Sequence, residues 1–534
     1  MDGLMMDFPL TLSHLFDRVG LYFGKTELVS RRPDKSIHRT TYGEFHRRAQ
    51  KLANALQRLG LRSGDRVATL AWNHSRHLEA YFAVPLAGGV LHTLNPRLSP
   101  QDLTYIMNDA DDRALIVDDV LLPVFERFRH EVHPRHVIVW GKTPEGMIDY
   151  EQLIEAEIPT FRPPRIEENQ AAGICYTSGT TGKPKGILYN HRALVLHSLA
   201  SALPDALNLG QTDVILPVVP MFHVNAWGLP FTAAMMGAKL VFPGPHLDAA
   251  NLLPLLAEEK VTCAAGVPTV WLALLEALDK APGAWDLKSL KQMVVGGSAA
   301  PQSMIEGYQK RHGLNILHAW GMTEMSPIGT VCRLKPQHAS LPEPERFRIR
   351  ATQGVPVPLV ELRAMADSGP APWDGKSMGE LQVRGPWVAK SYFQNPAEAD
   401  KFTADGWFRT GDIVTVDPEG YIRVTDRSKD LIKSGGEWIS SVELESALMG
   451  HPAVKEAAVV AVKHPKWDER PVACVVLKEG TQATPEELRV YLEPLFAKFW
   501  LPDAFVFLSQ IPRTATGKFL KSALRDQLKD FKLS

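Results

Sequence analysis

Tyr176-Thr-Ser-Gly-Thr-Thr-Gly-Lys-Pro-Lys-Gly186 is the stretch from which the rest of this 534-residue chain is read. An apolar run, Ala171 to Cys175, leads into it and another, Ile187 to Tyr189, leads out, which is the pattern of strand, loop, strand. Three glycines let the backbone turn tightly and approach a ligand. Four hydroxyls and two lysines offer donors and positive charge, which suits a cradle for phosphate oxygens. A plain solvated turn needs neither. The Gly-x4-Gly-Lys-Ser/Thr spacing of a Walker A loop is absent.

Working outward, 534 residues are too many for one core, so at least two domains are expected. Hydrophobic residues make up 45% and charged ones 22%, ordinary for a globular chain. A net charge of -1 gives no general attraction to nucleic acid or to an anionic membrane surface. Cys175, Cys263, Cys332 and Cys474 are far apart with apolar neighbours. They read as buried free thiols of a reducing compartment, without zinc spacing. The first 15 residues carry Asp2 and Asp7 and lack the basic start and apolar block of a signal peptide. Val214 to Ala238 has no Asp, Glu, Lys or Arg, but Pro217, Pro220, Pro230, His223 and Asn225 argue against a membrane span. It reads as a buried strand followed by a helix lining a site.

Residues 8 to 140 alternate helical and strand patterns. Tyr42 to Leu59 has helical periodicity, with Phe45, Ala49, Leu52, Ala53 and Leu56 on one side. His77 to Ala87 is a second predicted helix. Strands are predicted at Val67 to Trp72, Val90 to Thr93, Leu115 to Asp118 and Val137 to Trp140. After the glycine loop, a second series places strands at Val214 to Val219, Lys239 to Phe242, Cys263 to Gly266, Gln292 to Val295 and Ile316 to Ala319. Such alternation implies parallel sheets covered by helices. Between Gly354 and Gly385 short strands with Pro/Gly punctuation predict a small antiparallel barrel or sheet. The fold class is therefore α/β: two α/β sheet subdomains and a small β-barrel-like subdomain, then a small α/β domain at the C-terminus. The expected boundaries are 1–425 for the large domain, 426–431 for a hinge linker and 432–534 for a C-terminal lid. Within the lid, helices are predicted at Val442 to Met449 and Pro485 to Phe499.

Further motifs carry chemistry. Val294-Val-Gly-Gly-Ser-Ala-Ala-Pro301 ends a strand with small residues, leaving room for a flat ring where α/β sheets bind ligands. In His318-Ala-Trp-Gly-Met-Thr-Glu324, Trp320 offers a stacking face, and Thr323 and Glu324 offer hard oxygens suited to Mg²⁺ on a nucleotide phosphate. The alternative is Thr323 as a helix N-cap. Thr410-Gly-Asp412 places an acid after a turn. Asp426-Arg427-Ser-Lys429-Asp430 and Lys433-Ser-Gly-Gly-Glu437-Trp438 put fixed charges and two glycines at the domain junction. Thr516-Gly-Lys518 sets a long cation on a loop facing a cleft.

In this order the motifs resemble the acyl-adenylate-forming superfamily: acyl-CoA synthetases, firefly luciferase and peptide-synthetase adenylation domains. Val219-Pro-Met-Phe-His-Val-Asn-Ala-Trp227 and Lys433-Ser-Gly-Gly-Glu-Trp-Ile439 resemble more narrowly the bacterial medium- and long-chain fatty acyl-CoA synthetases and 3-methylthiopropionate-CoA ligases. The resemblance implies an acid-thiol ligase. A carboxylate attacks the α-phosphate of ATP, giving acyl-AMP and pyrophosphate, and coenzyme A then displaces AMP. It implies that Thr177, Ser178, Gly179, Thr180, Thr181, Gly182 and Lys185 hold the departing phosphates, with Thr177 and Glu324 at Mg²⁺ and Thr323 on phosphate. Lys518 would stabilise charge at the α-phosphate, and Asp412 would hold the ribose beside Arg427. Gly297, Ser298, Ala299, His318, Ala319 and Trp320 would enclose adenine. Lys429 would be the hinge for a rotation that withdraws Lys518 and brings Lys433, Gly435, Gly436 and Trp438 to the coenzyme A side. Lys433 counts among the nucleotide-binding and catalytic residues. His223, Val224, Trp227, Gly297 and Ala319 would line the acyl pocket, Trp227 matching a tryptophan that gates the acyl tunnel in the long-chain enzymes.

Two departures stand out. Trp320 replaces a commoner tyrosine, losing a phenol hydroxyl. His318 and Ala319 replace Gln and Gly, and Ala319 would fill space at the acyl site, shifting the expectation toward a shorter or thioether acid. The leading expectation is a medium- or long-chain fatty acid, with 3-methylthiopropionate or another short acid as alternative. A carrier-loading domain is not expected, since no carrier domain follows Ser534. A nucleotide-binding regulatory protein would need neither Lys518 nor Glu324. The resemblance also implies a cytoplasmic homodimer with no nucleic-acid partner and no transmembrane segment.

Overall fold

The computed structural model describes residues 3–177, 183–434, 437–514, 518–529 and 531. The helix Tyr42–Arg58 shows how the chain builds its layers. Thr41 caps it by accepting a hydrogen bond from the Glu44 amide at 3.3 Å. The predicted face of Phe45, Ala49, Leu52, Ala53 and Leu56 is fully buried.

Among the described residues the strands form four sheets. The first has seven strands, in the order Ile148–Asp149, His136–Trp140, Asp112–Asp118, Arg66–Leu70, Val90–Leu94, Ala171–Tyr176 and Gly186–Asn190. All its pairs are parallel except the last, the hairpin that carries the glycine loop. The second has nine strands, and its middle is parallel: Ile316–Gly321, Gln292–Val295, Cys263–Gly266, Val214–Pro217, Lys239–Phe242 and Glu27–Arg31. Its N-terminal edge is the hairpin Glu27–Arg31 with Ile37–Thr41, so the two α/β series are interlocked rather than sequential. The expected small antiparallel element is a five-stranded sheet in the order Gly369–Pro370, Glu361–Ala366, Met378–Arg384, Phe408–Val416 and Ile422–Arg427.

The fourth sheet lies at the C-terminus. Val454–His464 and Asp468–Leu477 form its long antiparallel pair, Ala504–Phe507 adds a parallel strand, and the hairpin Ile432–Ser434 with Glu437–Ile439 joins one edge. Two hydrophobic clusters, one around Leu444, Leu448 and Leu488 and one around Val460, Val472 and Leu524, draw only on residues from 432 onward. That separate core makes the region a small domain of its own.

Predicted strand bounds at Lys239–Phe242, Cys263–Gly266 and Gln292–Val295 match the structure. The predicted helix Pro485 to Phe499 ends at Leu492, because Pro494 follows and has no N–H to continue the ladder. The charge-free run from Val214 divides into a strand, a turn and the helix Leu229–Met236. Among the described residues no helix is long and apolar enough to cross a membrane. All four cysteines are free and buried.

Gly354 joins the nine-stranded sheet to the five-stranded one. It bridges Ile422, whose amide donates to the Gly354 carbonyl at 2.9 Å. Its φ is +84°, and a Cβ there would lie 2.2 Å from the backbone of Val331. Gly354→Ala combines a left-handed alanine with backbone overlap, and a loss of about 3 kcal/mol is expected. Urea unfolding should show the midpoint fall; an unchanged midpoint would contradict this account.

Candidate active site

The carboxyl ends of the parallel strands of the nine-stranded sheet open into one cavity of about 480 Å³, walled on the other sides by the five-stranded sheet and the C-terminal domain. Thr177, Lys185, His223, Val224, Trp227, Gly297, Ser298, Ala299, His318, Ala319, Trp320, Thr323, Glu324, Asp412, Arg427, Lys429 and Lys518 all line it. Of the other expected site residues, Ser178, Gly179, Thr180, Thr181, Gly182, Gly435 and Gly436 lie outside the described residues. Lys433 and Trp438 are described and do not line the cavity. They face each other across the C-terminal hairpin, with the Lys433 ammonium 5.0 Å from the Trp438 ring centre.

At the centre is Asp412, 3% exposed. Its Oδ1 meets Arg427 Nε at 2.8 Å, and its Oδ2 accepts from Trp320 Nε1 at 2.9 Å. Strand register places Asp412 directly opposite Arg427. The indole N–H thus supplies a donor where the missing phenol hydroxyl implied a loss. The Trp320 ring rests on Gly329, where a Cβ would come within 2.6 Å of it. Asp412 holds the Arg427 guanidinium above its ordinary pKa, against the cost of burial.

Glu324 is buried beside Asp412's end of the cavity. Tyr392 donates to its Oε1 at 2.8 Å, and the same tyrosine ring lies 5.3 Å below the Lys185 ammonium, which is paired with Glu398. Sequence reasoning missed Tyr392 and Glu398, which lie in a segment with no glycine or charge motif of its own. Met322 is the cap position of the short 3₁₀ turn Thr323–Met325, so the Thr323 hydroxyl is not used as a cap. Thr177 closes the ends of the glycine loop. Its amide donates to the Lys185 carbonyl at 2.9 Å, and its Oγ1 accepts from the Lys185 amide at 3.1 Å.

Lys518 reaches the cavity from the C-terminal domain. A Cβ on Gly297 would lie 3.7 Å from its Cε. Burial and the nearby Arg427 push its pKa down to about 8, with Asp412 and Glu324 opposing. His223 is held neutral by burial and by Lys518, at a pKa of about 3.

His318 is engaged with the backbone at both ring nitrogens: Nε2 accepts from the Ala300 amide at 3.3 Å and Nδ1 faces the Ala351 carbonyl at 3.2 Å. Its role here is to fasten the Gly297–Ala300 turn to the sheet rather than to present a polar atom to a ligand.

The apolar end of the cavity is shaped by an unusual turn. Val224, Asn225, Ala226 and Trp227 have φ of 37°, 54°, 48° and 57°, followed by Gly228 at 73°. Left-handed backbone costs roughly 1–2 kcal/mol per non-glycine residue. Asn225, 3% exposed, ties the turn down by accepting from Cys175 Sγ at 3.6 Å. The turn delivers Trp227 against Gly296, where a Cβ would sit 3.1 Å from the indole and 3.0 Å from the Ala319 carbonyl. Among common residues only glycine leaves the indole this place.

Comparison with known proteins follows the same division. Residues 16–393 match the AMP-binding enzyme model, and 443–518 match the AMP-binding enzyme C-terminal domain. A long-chain-fatty-acid–CoA ligase of Thermus thermophilus is 53% identical, over 99% of this chain and 97% of that one. A 3-methylmercaptopropionyl-CoA ligase of Ruegeria lacuscaerulensis is 47% identical over 99% of both. A medium-chain-fatty-acid–CoA ligase of Ectopseudomonas oleovorans is 45% identical over 99% of this chain and 98% of that one. The crystal structure of the anthranilate CoA ligase AuaEII with anthranoyl-AMP superposes with a TM-score of 0.88 at 28% identity, covering 98% of each chain. With both modules matched in order along its length, the chain belongs to the AMP-binding enzyme family.

Proposed function

We propose that this protein is an AMP-forming acyl-CoA synthetase. The observation that carries the reading is the meeting of Lys518, Asp412, Arg427 and Glu324 in one cavity that also has an apolar end. In the first half-reaction a carboxylate oxygen attacks the α-phosphorus of ATP, and the bond to the bridging oxygen of pyrophosphate breaks. Lys518 spans the attacking carboxylate and the α-phosphate, countering charge that spreads in the transition state. Asp412 takes the ribose hydroxyls, and Trp320 with Gly297–Ala299 takes the adenine. Thr177 and Lys185 hold the departing phosphates, together with residues 178–182. In the second half-reaction the sulfur of coenzyme A attacks the acyl carbon and AMP leaves. For that step the domain from 432 turns about the 426–431 linker at Lys429, exchanging Lys518 for Lys433, Gly435, Gly436 and Trp438.

The site fits Mg²⁺ carried in on phosphates. Glu324 presents one buried carboxylate, only half engaged by Tyr392, and among the described residues no group of three or more His, Cys, Asp or Glu forms a protein cage. Glu324 and Thr177 would hold the ion, which would neutralise charge on the β- and γ-phosphates.

The fatty-acid reading rests on the first and third of these relatives. A second reading, a short thioether acid, is favoured by Trp227, whose indole lies close against Gly296 and so takes up space at the apolar end of the cavity, and by the second of these relatives. Pyrophosphate release across acids of C2 to C18 and 3-methylthiopropionate, with and without coenzyme A, decides between them. Absence of release with every acid tried would refute the synthetase. Trp227→Ala is expected to raise the relative kcat/KM for the longest acids about tenfold, and no shift in chain-length preference would remove Trp227 from the acyl wall.

Lys518→Ala should lower acyl-AMP formation by at least about a hundredfold, the scale seen when one charge-stabilising donor is lost. The pH profile carries the sign. The buried Lys518 has a pKa of about 8 against an ordinary 10.5, so the ammonium needed for adenylation is lost as pH rises through 8. The kcat/KM for adenylation should therefore fall above about pH 8, and Lys518→Arg should abolish that limb. The exposed or unfolded lysine binds its proton more tightly, so the closed orientation gains stability between pH 8 and 10.5 even as it loses activity.

A further inference from the structure

The small domain is held in its present orientation by a buried polar cluster that none of the catalytic roles uses. Asp426 opens the linker while still on strand Ile422–Arg427 of the large domain's five-stranded sheet, and it is 1% exposed. Its Oδ2 accepts from the Ser441 amide at 2.8 Å and from the Ser441 hydroxyl. Ser441 is the first residue of helix Ser441–Leu448 in the small domain, so the carboxylate also sits at the positive end of that helix. Ser440, its cap residue, donates to the Thr425 carbonyl across the same junction. From the other side, Lys521 donates to Ser441 Oγ and pairs with Glu445 at 2.7 Å. Glu445 in turn accepts from the Val459 amide at 2.7 Å. Lys521 lies three residues beyond Lys518 and opens the last helix.

We propose that Asp426, through Ser441 and Lys521, is a latch that locks the small domain in the adenylating orientation and thereby positions Lys518. Asp426–Ser441 and Ser440–Thr425 join the two domains across the linker, whereas Lys521–Glu445 is internal to the small domain and would travel with it. A rotation about Lys429 must break the first set and can keep the second. Burial works against the Lys521 ammonium, yet Glu445, Asp426 and Asp430 outweigh it and hold its proton more tightly than usual. Parting Asp426 from Lys521 removes one of those supports, and water must replace it. Closure is thus stabilised by charge-assisted hydrogen bonds, and opening exposes both partners to water, so the latch is reversible. The Arg525–Asp430 pair at 2.7 Å keeps the last helix beside the linker.

This inference rests on the two-step reading above, so its test includes a readout that needs no activity. Asp426→Ala, Asp426→Asn and Ser441→Ala are compared with the unaltered protein in three measurements. These are acyl-AMP formation, thioester formation from supplied acyl-AMP and coenzyme A, and the rate of trypsin cleavage after Arg427 or Lys429. Asp426→Ala is expected to slow acyl-AMP formation roughly tenfold, the scale of a charge-assisted hydrogen bond. It should leave thioester formation within about twofold and speed linker cleavage, because the closed orientation is less populated. Asp426→Asn keeps the amide contact but not the charge and should fall between. Ser441→Ala removes the hydroxyl that joins Asp426 to Lys521 but keeps the amide contact, so it should move the three measurements in the same direction as Asp426→Ala and by less, even if the latter folds poorly. Equal loss of both half-reactions with unchanged linker cleavage would show a merely structural role and overturn the latch, as would no change in any measurement. If no acid supports pyrophosphate release by the unaltered protein, the synthetase reading fails while the order of cleavage rates still decides the latch.

Discussion

A carboxylate withdrawn from water has to be matched, and Asp412 is matched by two groups from different layers. Arg427 reaches it from the neighbouring strand of the five-stranded sheet, and Trp320 from the end of a strand in the nine-stranded sheet. These bonds fix the angle between the two sheets where the cavity forms. They also set its electrostatics, because Arg427 is the main charge lowering the proton affinity of Lys518 and Asp412 the main one opposing it. Removing Arg427 would leave the buried Asp412 carboxylate without its counter-charge, a loss that commonly costs about 3–5 kcal/mol. The nucleotide face and the reactivity of the lysine therefore depend on the same three side chains.

The phosphate end follows a different logic. There the hairpin Ala171–Tyr176 and Gly186–Asn190 holds only the ends of its loop, through Thr177 and Lys185. Lys185 is neutralised by Glu398 and rests on Tyr392, which bonds Glu324. An arriving phosphate has to compete with Glu398 for Lys185, and any change at Tyr392 is felt by Glu324. The chain thus keeps its free cations paired until a more highly charged partner replaces the carboxylate.

Much of this was legible in the residues. Short apolar runs that meet a glycine, such as Cys263–Gly266 and Gln292–Val295, read as strands, and their bounds match. Lys518, Asp412 and Arg427 were marked by their motifs, and the structure brings them together. Tyr392 and Glu398 were not legible, because their importance comes from packing against Glu324 and Lys185 across long stretches of sequence. His318 was legible as a site residue but not in its use, since both its hydrogen bonds go to backbone atoms that the fold alone brings near. The left-handed turn at Val224–Gly228 left no trace beyond Asn225 and Gly228, two residues that tolerate positive φ. Tertiary contacts, not propensity, hold it.

That turn and the linker cluster bear on one problem. On the proposed two-step reading the half-reactions make opposed demands: Lys518 would lie in the cavity for the first and leave it for the second, and the acyl end would be closed to water yet admit a chain. Neither demand is met by making one state very stable, since a strongly favoured closed state would stall before thioester formation. In the structure, costs and gains are set against each other. The cost of four left-handed residues is set against the burial of Asn225 and the packing of Trp227 on Gly296. The cost of burying Asp426 and Lys521 is set against their mutual attraction. When opposed terms nearly cancel, a ligand that contributes only a few kcal/mol more to one arrangement shifts the population decisively. On the proposed reading Lys518 holds both the carboxylate and the α-phosphate, which favours closure, and formation of acyl-AMP consumes the carboxylate's charge and so weakens that preference before the second step.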